Sequence, residues 1–300
     1  RAHPGHPHPE EETMNLSGRV VIITGGGSGI GRAAARRFAR RRAVLHLVDL
    51  DAAAVEAAAL ECASLGARAH FHVADCRDAG AMERVAAAVL ERDALVDVVF
   101  LNAGVGYGGP MARMTLDEWR LVLDTNLYGV VHGLHAFLPA MLGKPSRGHV
   151  LITASMLGLF ALPGAGAYAA SKHALVGLAE SLRAELGPAG LEVTALCPGL
   201  IASNIIKNAR VGGVGLDRAL VERWWARRGA APDAVARIAV ECVEKRRGGV
   251  RVAKPTGSVL WLLRRYAPPL YERALAGAAA AMARLDQRRS AGASRPRAAG

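Results

Sequence analysis

The stretch that decides the fold is Val20-Val21-Ile22-Ile23-Thr24-Gly25-Gly26-Gly27-Ser28-Gly29-Ile30-Gly31. Its apolar start predicts a buried strand, and the residues from Arg32 to Arg42 that follow predict a helix. Glycines at such a turn let the backbone come close to a pyrophosphate, while the helix N-terminus offers free N–H groups and the positive end of its dipole. The order strand, glycine-rich turn, helix therefore predicts a dinucleotide-binding turn, although a glycine turn that only reverses the chain is the alternative.

The next predicted strand, 44–49, ends in Asp49, 20 residues after Gly29. A carboxylate at this distance can accept hydrogen bonds from an adenosine ribose. The alternative is an N-cap for the helix that begins near Ala52, a role that Asp51 can also fill. A carboxylate here repels a 2′-phosphate, which favours NAD as the cofactor. Arg32 and the cluster 40–42 keep NADP open, because an arginine can accept that phosphate.

A second informative stretch is Tyr168-Ala169-Ala170-Ser171-Lys172, with Ser155 thirteen residues upstream. Helical spacing of the apolar residues that follow predicts that Tyr168 and Lys172 share one helix face. An ammonium one turn from a phenol favours the phenolate, which predicts a Tyr168 pKa lowered toward the working range of a general acid/base. The Ser155 hydroxyl can hydrogen-bond a substrate oxygen. The alternative is an ordinary amphipathic helix with a surface Tyr and Lys.

Taken together, these motifs resemble the short-chain dehydrogenase/reductase family from about Leu16 to about Val252. The resemblance implies a catalytic tetrad and a cofactor site. The tetrad is Asn126, Ser155, Tyr168 and Lys172. The implied cofactor-binding residues are Gly25, Gly27, Ser28, Gly29, Ile30, Gly31, Asp49, Asp75, Asn102, Ala103, Gly104, Tyr168, Lys172, Pro198, Gly199 and Ser203. Two departures are small: Ala154 stands where many relatives have a second serine, and Ser203 replaces a threonine but keeps the hydroxyl.

The mechanism implied by the resemblance is hydride transfer between a nicotinamide and a carbonyl or alcohol carbon. Tyr168 would exchange the proton with the substrate oxygen, and Ser155 would orient and polarise that oxygen. Lys172 would lower the phenol pKa and hold the nicotinamide ribose, while Asn126 would support Lys172 and a water path for the proton. In such enzymes the protein supplies position and electrostatics, and the cofactor carries the hydride.

The predicted fold class is α/β, a single Rossmann-type doubly wound parallel sheet of about seven strands with helices on both faces. The predicted strands are 19–24, 44–49, 68–73, 96–101, 147–153, 191–196 and 249–253. The predicted helices are 29–42, 52–65, 78–92, 115–142, 167–187, 216–228 and 232–246. The predicted organisation is a disordered leader at 1–13, a dehydrogenase domain at 14–257, a helical extension at 258–285 and a disordered basic tail at 286–300.

Composition narrows the class of protein. The four cysteines show no paired spacing, which favours a reducing, cytoplasmic setting and no disulfide frame or metal site. No run of 18 apolar residues and no signal peptide is visible. Residues 258–300 carry half of the net charge of +12, but the other arginines are scattered, so we expect no nucleic-acid partner. The apolar and basic segment 258–285 predicts a helix packed on protein, or alternatively a peripheral membrane contact.

Three loops are expected to determine the substrate specificity: 105–111, 156–160 and 200–225. They are mostly apolar and lack a clamp for a carboxylate or phosphate, which favours a small hydrophobic alcohol or carbonyl compound. An NADPH-dependent 3-oxoacyl reductase and a non-catalytic dinucleotide-binding protein are the alternatives. The intact tetrad argues against the second. The resemblance also implies a homodimer or homotetramer through 115–142 and 167–187.

Overall fold

The sheet of this protein is parallel and has seven strands, as the sequence predicts. The computed structural model describes residues 13–143, 147–202, 210–211, 223, 227–253 and 257–293. The strands are β1 (Val20–Thr24), β2 (Val44–Asp49), β3 (Arg68–Val73), β4 (Val98–Leu101), β6 (Gly148–Thr153), β7 (Leu191–Pro198) and β9 (Gly249–Ala253), with the two-residue β5 (Tyr107–Gly108) and β8 (Arg210–Val211) forming a separate pair. The order across the sheet is β3-β2-β1-β4-β6-β7-β9. The order reverses beside β1, which places a ligand crevice at the carboxyl ends of β1 and β4.

Helices cover both faces because consecutive strand residues point to opposite sides. Val21 and Ile23 of β1 join one hydrophobic core, and Val20 and Ile22 join the other. The first core is covered by α1 (Gly29–Ala39), α2 (Ala52–Ser64) and α7 (Pro232–Glu244), and the second by α3 (Ala79–Asp93), α5 (Gly129–Leu142) and α6 (Gly166–Leu186). Apolar runs such as β1 are therefore fully buried, which confirms the predicted doubly wound fold.

The predicted single helix at 115–142 is wrong in one respect. The segment begins with α4 (Leu116–Leu123), widens into a π-helical turn at Asp124–Tyr128, and continues as α5. Thr115 and Glu118 form a reciprocal capping box at its start. The irregularity falls on Asn126, and π-turns inside helices often mark functional positions. The predicted helix 216–228 lies mostly outside the described residues.

After β9, two further helices complete the described chain: α8 (Ser258–Tyr266) and α9 (Pro268–Ala293). The last of them extends past residue 285, the predicted end of the helical extension. None of the helices in the described part of the chain is both long enough and apolar enough to cross a bilayer.

Candidate active site

The carboxyl ends of five neighbouring strands carry most of the predicted site residues. These positions are Gly25 after β1, Asp49 at the end of β2, Asn102 after β4, Ser155 after β6 and Pro198 at the end of β7. Parallel strands present their carboxyl ends at one edge, so residues distant in sequence meet there. This edge is where open α/β sheets bind their ligands.

The glycine turn has no room for side chains. Gly25 adopts a φ of +66°, and a Cβ added to Gly31 would lie 2.1 Å from the Gly25 carbonyl oxygen. A Cβ on Gly27 would lie 3.0 Å from the Asp49 carboxylate. Any larger residue at Gly31 would therefore force the turn open.

The N-terminus of α1 follows this turn and is open to an anion. Ser28 is extended, and its side chain does not cap the helix. The first turn of α1 has no acidic residue to neutralise the positive end of the helix dipole. Ile30 packs partly buried against the core and anchors the start of the helix. Together with the glycine cradle, these features fit the pyrophosphate of a dinucleotide.

The two aspartates near β2 divide the predicted roles. Asp49 accepts hydrogen bonds from the Gly27 amide at 2.9 Å and the Asp51 amide at 3.2 Å, so its carboxylate is held beside the glycine turn. Asp51 caps α2 by accepting from the Ala54 amide at 3.0 Å. The capping role thus belongs to Asp51, which leaves the Asp49 carboxylate beside the glycine turn.

Asp75 lies two residues beyond β3 and forms a local ion pair. Arg77 Nη2 lies 2.6 Å from Asp75 Oδ2, and the Arg77 amide donates to Asp75 Oδ1 at 2.9 Å. The Arg77 side-chain hydrogen bond lowers the pKa of Asp75 below its ordinary value. The carboxylate is therefore ionised and oriented at neutral pH.

Hydrogen bonds join the ends of β1, β4 and β6. The Thr24 hydroxyl oxygen accepts from the amides of Asn102 at 2.9 Å and Ala103 at 3.1 Å. The Asn102 side chain donates to the Thr24 carbonyl at 3.2 Å and accepts from the Thr153 hydroxyl at 3.0 Å. A Cβ on Gly104 would lie 3.1 Å from Asn126 Oδ1, so this glycine lets Asn126 approach. The predicted Asn102-Ala103-Gly104 segment thereby closes the crevice beside the glycine turn.

Asn126 is fully buried in the π-turn between α4 and α5. Its side chain accepts from the Val105 amide at 2.8 Å and donates to the Val105 carbonyl at 3.0 Å. Its amide also donates to Ser171 Oγ at 3.2 Å, and that hydroxyl donates to the Tyr168 carbonyl at 2.8 Å. Asn126 therefore links the loop after β4 to the helix that carries Tyr168 and Lys172.

The other three predicted catalytic residues meet beside it. The side chains of Tyr168 and Ser155 share a hydrogen bond, and Ser155 Oγ also accepts from the Leu157 amide at 3.1 Å. Lys172 is buried one turn along α6, with its Nζ 5.7 Å from the centre of the Tyr168 ring. The Lys172 ammonium donates to the Thr153 carbonyl at 2.8 Å. The structure thus brings Asn126, Ser155, Tyr168 and Lys172 into one group.

The pKa values of this group differ from the sequence-based expectation. Burial raises the pKa of the Tyr168 phenol, and the hydrogen bond from Ser155 only partly offsets that rise. Burial also lowers the pKa of the Lys172 ammonium to about 8. The expectation that Lys172 brings the tyrosine pKa down is therefore not met in the protein alone, because desolvation disfavours both charged forms. Tyr168 is protonated at neutral pH.

The Pro-Gly pair after β7 is also in place. Pro198 is buried at the end of the strand, and the Gly199 amide donates to the Ala253 carbonyl of β9 at 3.0 Å. Ser203, the predicted nicotinamide contact, lies outside the described residues.

The two C-terminal helices pack on the loop that follows Ser155. Met156 and Phe160 of this loop form a buried cluster with Tyr271 of α9, and Trp261 of α8 packs against it. Arg264 donates to the Leu159 carbonyl at 2.7 Å. The C-terminal helices therefore form one wall near the predicted catalytic residues.

Sequence reasoning missed four residues that build this site. Thr24 and Thr153 tie the strand ends together, Ser171 joins Asn126 to α6, and Tyr271 holds the loop after Ser155. Thr24 opens the glycine motif and Ser171 lies inside Tyr-x-x-x-Lys, so their positions were a usable signal. The sequence offers no such signal for Tyr271, which contacts a residue 110 positions away.

The fold and this arrangement of side chains define a dinucleotide-binding protein with a Ser-Tyr-Lys-Asn site. The short chain dehydrogenase family matches residues 19–212. The chain therefore belongs to the short-chain dehydrogenase/reductase family. A solved short-chain dehydrogenase/reductase from Burkholderia phymatum in complex with NAD superposes with a TM-score of 0.78 at 31% identity, covering 86% of this chain and 96% of that one.

Two curated relatives add context. The probable oxidoreductase EphD of Mycobacterium tuberculosis is 35% identical over 256 residues, which cover 83% of this chain and 43% of that protein. The present chain thus spans less than half of the length of that relative. The 1-deoxy-11-beta-hydroxypentalenate dehydrogenase of Streptomyces exfoliatus is 37% identical over 196 residues, covering 65% of this chain and 71% of that protein.

Proposed function

We propose that this protein is an NAD-dependent oxidoreductase that interconverts a hydrophobic secondary alcohol and its ketone, or an aldehyde. The observation that carries the proposal is the hydrogen-bonded pair Ser155 and Tyr168 with Lys172 one helical turn away. A phenol, a hydroxyl and an ammonium lie together at the carboxyl edge of the sheet. These groups can exchange a proton with a carbonyl or alcohol oxygen and hydrogen-bond it. When bound, the nicotinamide supplies or accepts the hydride.

The protein's part in the reaction is to hold and move a proton. In the reduction, the Tyr168 hydroxyl donates its proton to the carbonyl oxygen, and Ser155 donates a hydrogen bond to that oxygen. In the oxidation, the Tyr168 phenolate takes the proton from the alcohol oxygen. The raised pKa of Tyr168 keeps the phenol protonated at neutral pH, which favours its role as an acid in the reduction.

Lys172 and Asn126 support this proton transfer. A charged Lys172 favours the phenolate electrostatically, and its approach is set by the hydrogen bond to the Thr153 carbonyl. Asn126 holds the Val105 backbone on one side and Ser171 on the other. In this proposal Asn126 fixes the position of α6 relative to the loop after β4, on either side of the cofactor site.

The charges near the glycine turn support NAD over NADP. Asp49 is held by backbone amides beside the turn, where it would repel a 2′-phosphate. Two of the arginines that could accept that phosphate have acidic partners: Arg32 pairs with Glu61 at 2.8 Å, and Arg41 pairs with Glu244. The relative from Burkholderia phymatum, 31% identical, was solved with NAD.

Apolar side chains around the start of α6 support a hydrophobic substrate. Met111 is 54% exposed, and a Cβ on Gly166 would lie 3.6 Å from its sulfur. Met282 of α9 reaches Gly164, two residues before α6 begins, so an added Cβ there would lie 2.9 Å from its Cε. The predicted loop 200–225 lies mostly outside the described residues.

A screen of secondary alcohols and ketones that follows NADH absorbance tests the proposal. The general acid/base contributes typically 10²–10⁴-fold, so Tyr168→Phe should lower turnover by about that factor while the fold survives. Tyr266→Phe is the matched control, because Tyr266 on α8 is 73% exposed. Turnover by Tyr168→Phe above about a tenth of the wild-type rate would contradict the assigned role. Preferential turnover of 3-oxoacyl thioesters with NADPH would instead favour the alternative reductase.

We also propose a homodimer or homotetramer. Leu116 of α4 and Val131 of α5 are exposed, as is Tyr128 in the π-turn between these helices. Pairing of these helices between subunits would remove that apolar surface from water. Light scattering that gives a monomer mass at micromolar concentration would contradict this assembly.

A peripheral membrane contact through 258–285 is the remaining proposal. Trp261 faces the domain, but Val259, Leu262 and Tyr266 on α8 are exposed, and Arg264 and Arg265 lie beside them. Such a surface suits the interface of an anionic membrane. Salt-sensitive pelleting with anionic vesicles, lost when the three apolar residues are changed to serine, would support it. Equal pelleting of both proteins would contradict it.

A further inference from the structure

Three histidines lie together on β2 and on the edge strand β3. His46 is in the middle of β2 and fully buried, and its partner in the ladder is His70 of the edge strand β3. His72 follows two residues later and therefore lies on the same face. This face is covered by α3, whose last residue is Asp93.

The polar atoms of this group converge. His46 Nε2 lies 2.8 Å from Asp93 Oδ2, and His46 Nδ1 lies 2.9 Å from His72 Nε2. The His70 and His46 rings have centres 5.0 Å apart. One ligand atom from each of His46, His70 and Asp93 lies within 4.8 Å of the other two. This spacing is close enough for all three to contact one ion.

We propose that His46, His70 and Asp93 bind a Zn²⁺ ion. Two imidazoles and one carboxylate are ligands that zinc prefers, and three protein ligands leave a fourth position for water. Solvent can reach that fourth position, because His70 and His72 line an open cleft of about 550 Å³ together with Glu91 and Arg92. The ion would join the edge strand β3, its neighbour β2 and the end of α3.

His72 has a supporting role in this proposal. When His46 Nε2 faces the ion, His46 Nδ1–H can donate to His72 Nε2, which sets the tautomer and the ring orientation of the ligand.

The surrounding charges are compatible with a cation. Arg68 pairs with Asp93 Oδ1 at 3.2 Å, so the other carboxylate oxygen remains on the side of His46. Arg92 is the second nearby positive charge, and the negative charge of Glu91, which lines the same cleft, offsets it. The Asp93 side chain is only 5% exposed, so it acts in surroundings with little water. A buried carboxylate is a stronger ligand than an exposed one, because water competes less for it.

The test is Zn²⁺ binding to the full chain, measured by calorimetry after chelator treatment and dialysis. Because His3, His6 and His8 can bind metal on their own, all three are first changed to alanine, and this variant is the reference protein. We expect one Zn²⁺ per chain and a thermal midpoint that rises when Zn²⁺ is added. The ligand variants His70→Ala and Asp93→Asn should bind at least about tenfold more weakly and lose that rise.

His135→Ala is the matched control, since His135 is exposed and contacts only Glu83 among the ion pairs of the described residues. It should leave the affinity unchanged. Binding of less than one ion per reference chain, or unchanged affinity in a folded His70→Ala protein, would overturn the proposal. If the ligand variants do not fold, the visible spectrum of the reference protein with Co²⁺ in place of Zn²⁺ is the deciding measurement. An intense visible spectrum of tetrahedral Co²⁺ supports the site, and its absence overturns it.

Discussion

The Tyr271 hydroxyl binds both backbone polar groups of Ala161. It accepts from the Ala161 amide at 2.9 Å and donates to the Ala161 carbonyl at 2.9 Å. Ala161 lies in the loop between Ser155 and α6, and Tyr271 belongs to the first turn of α9. A side chain from the C-terminal helices therefore replaces the hydrogen bonds that this loop would otherwise make with water or a strand partner.

Tyr271→Phe should loosen the loop without removing the ring from its cluster. Loss of two hydrogen bonds should lower the free energy of unfolding by about 1–2 kcal/mol. The kcat/KM for a hydrophobic substrate should also fall, because the loop positions Ser155. Thermal unfolding and steady-state kinetics measure both effects. Tyr266→Phe is the control, since Tyr266 is 73% exposed. Equal behaviour of the two variants would show that the contact does not position the loop.

Gly31→Ala should abolish dinucleotide binding and destabilise the fold. Its Cβ would lie 2.1 Å from the Gly25 carbonyl oxygen, a backbone atom that cannot move aside without opening the turn. Forced overpacking of this kind costs about 1–3 kcal/mol. Gly277→Ala in α9 is the contrasting variant, because its Cβ would have no neighbour within 4 Å. It should stabilise the protein by about 0.5–1 kcal/mol. NAD titration and thermal unfolding distinguish the two, and NAD binding retained by Gly31→Ala would count against the assigned turn.

Asp49→Ala should shift the coenzyme preference toward NADP. The change removes the carboxylate that would repel a 2′-phosphate and the acceptor of the Gly27 amide. We expect the kcat/KM for NAD to fall and that for NADP to rise. Asp51→Ala is the control, since Asp51 caps α2 and should change stability but not the ratio of the two coenzymes. A wild-type enzyme that already prefers NADP would refute this assignment.

Lys172→Met should stop turnover but stabilise the fold at pH 7. The Lys172 pKa is about 8 in the folded protein against an ordinary 10.5. Below pH 8 the ammonium is charged in both states, so its burial costs stability in full. The cost shrinks as pH rises from 8 to 10.5 and vanishes above, where the amine is neutral in both states.

A shift of this size corresponds to roughly 3 kcal/mol, from which the lost hydrogen bond to Thr153 subtracts about 1 kcal/mol. The stabilisation by Lys172→Met should therefore be about 2 kcal/mol at pH 7 and be lost by pH 10.5. Denaturant unfolding across this pH range measures it. Lys245→Met, at an exposed lysine, should show no such pH dependence. A destabilised Lys172→Met at pH 7 would contradict the sign.

The strand predictions were accurate because fully buried parallel strands have continuous apolar sequences. Val20–Thr24 and Gly148–Thr153 begin within one residue of their predicted starts. The helix predicted at 115–142 missed the π-turn at Asn126, because the apolar spacing hardly changes when one turn widens. What fixes that turn is the contact of Asn126 with Val105, a residue 21 positions away.

The sequence by itself determined the order of strands and helices, the glycine turn and the identity of the Ser155, Tyr168 and Lys172 group. The order of elements, the glycine turn and the Tyr168–Lys172 pair follow from local periodicity, backbone freedom and spacing within one helix, which are all short-range properties. Ser155 completes the group through the family resemblance. Only the tertiary structure decided that burial raises the Tyr168 pKa, that Tyr271 holds the loop after Ser155, and that His46, His70 and Asp93 converge. Desolvation and contacts between distant segments depend on how the elements pack, and no local pattern in the chain encodes them.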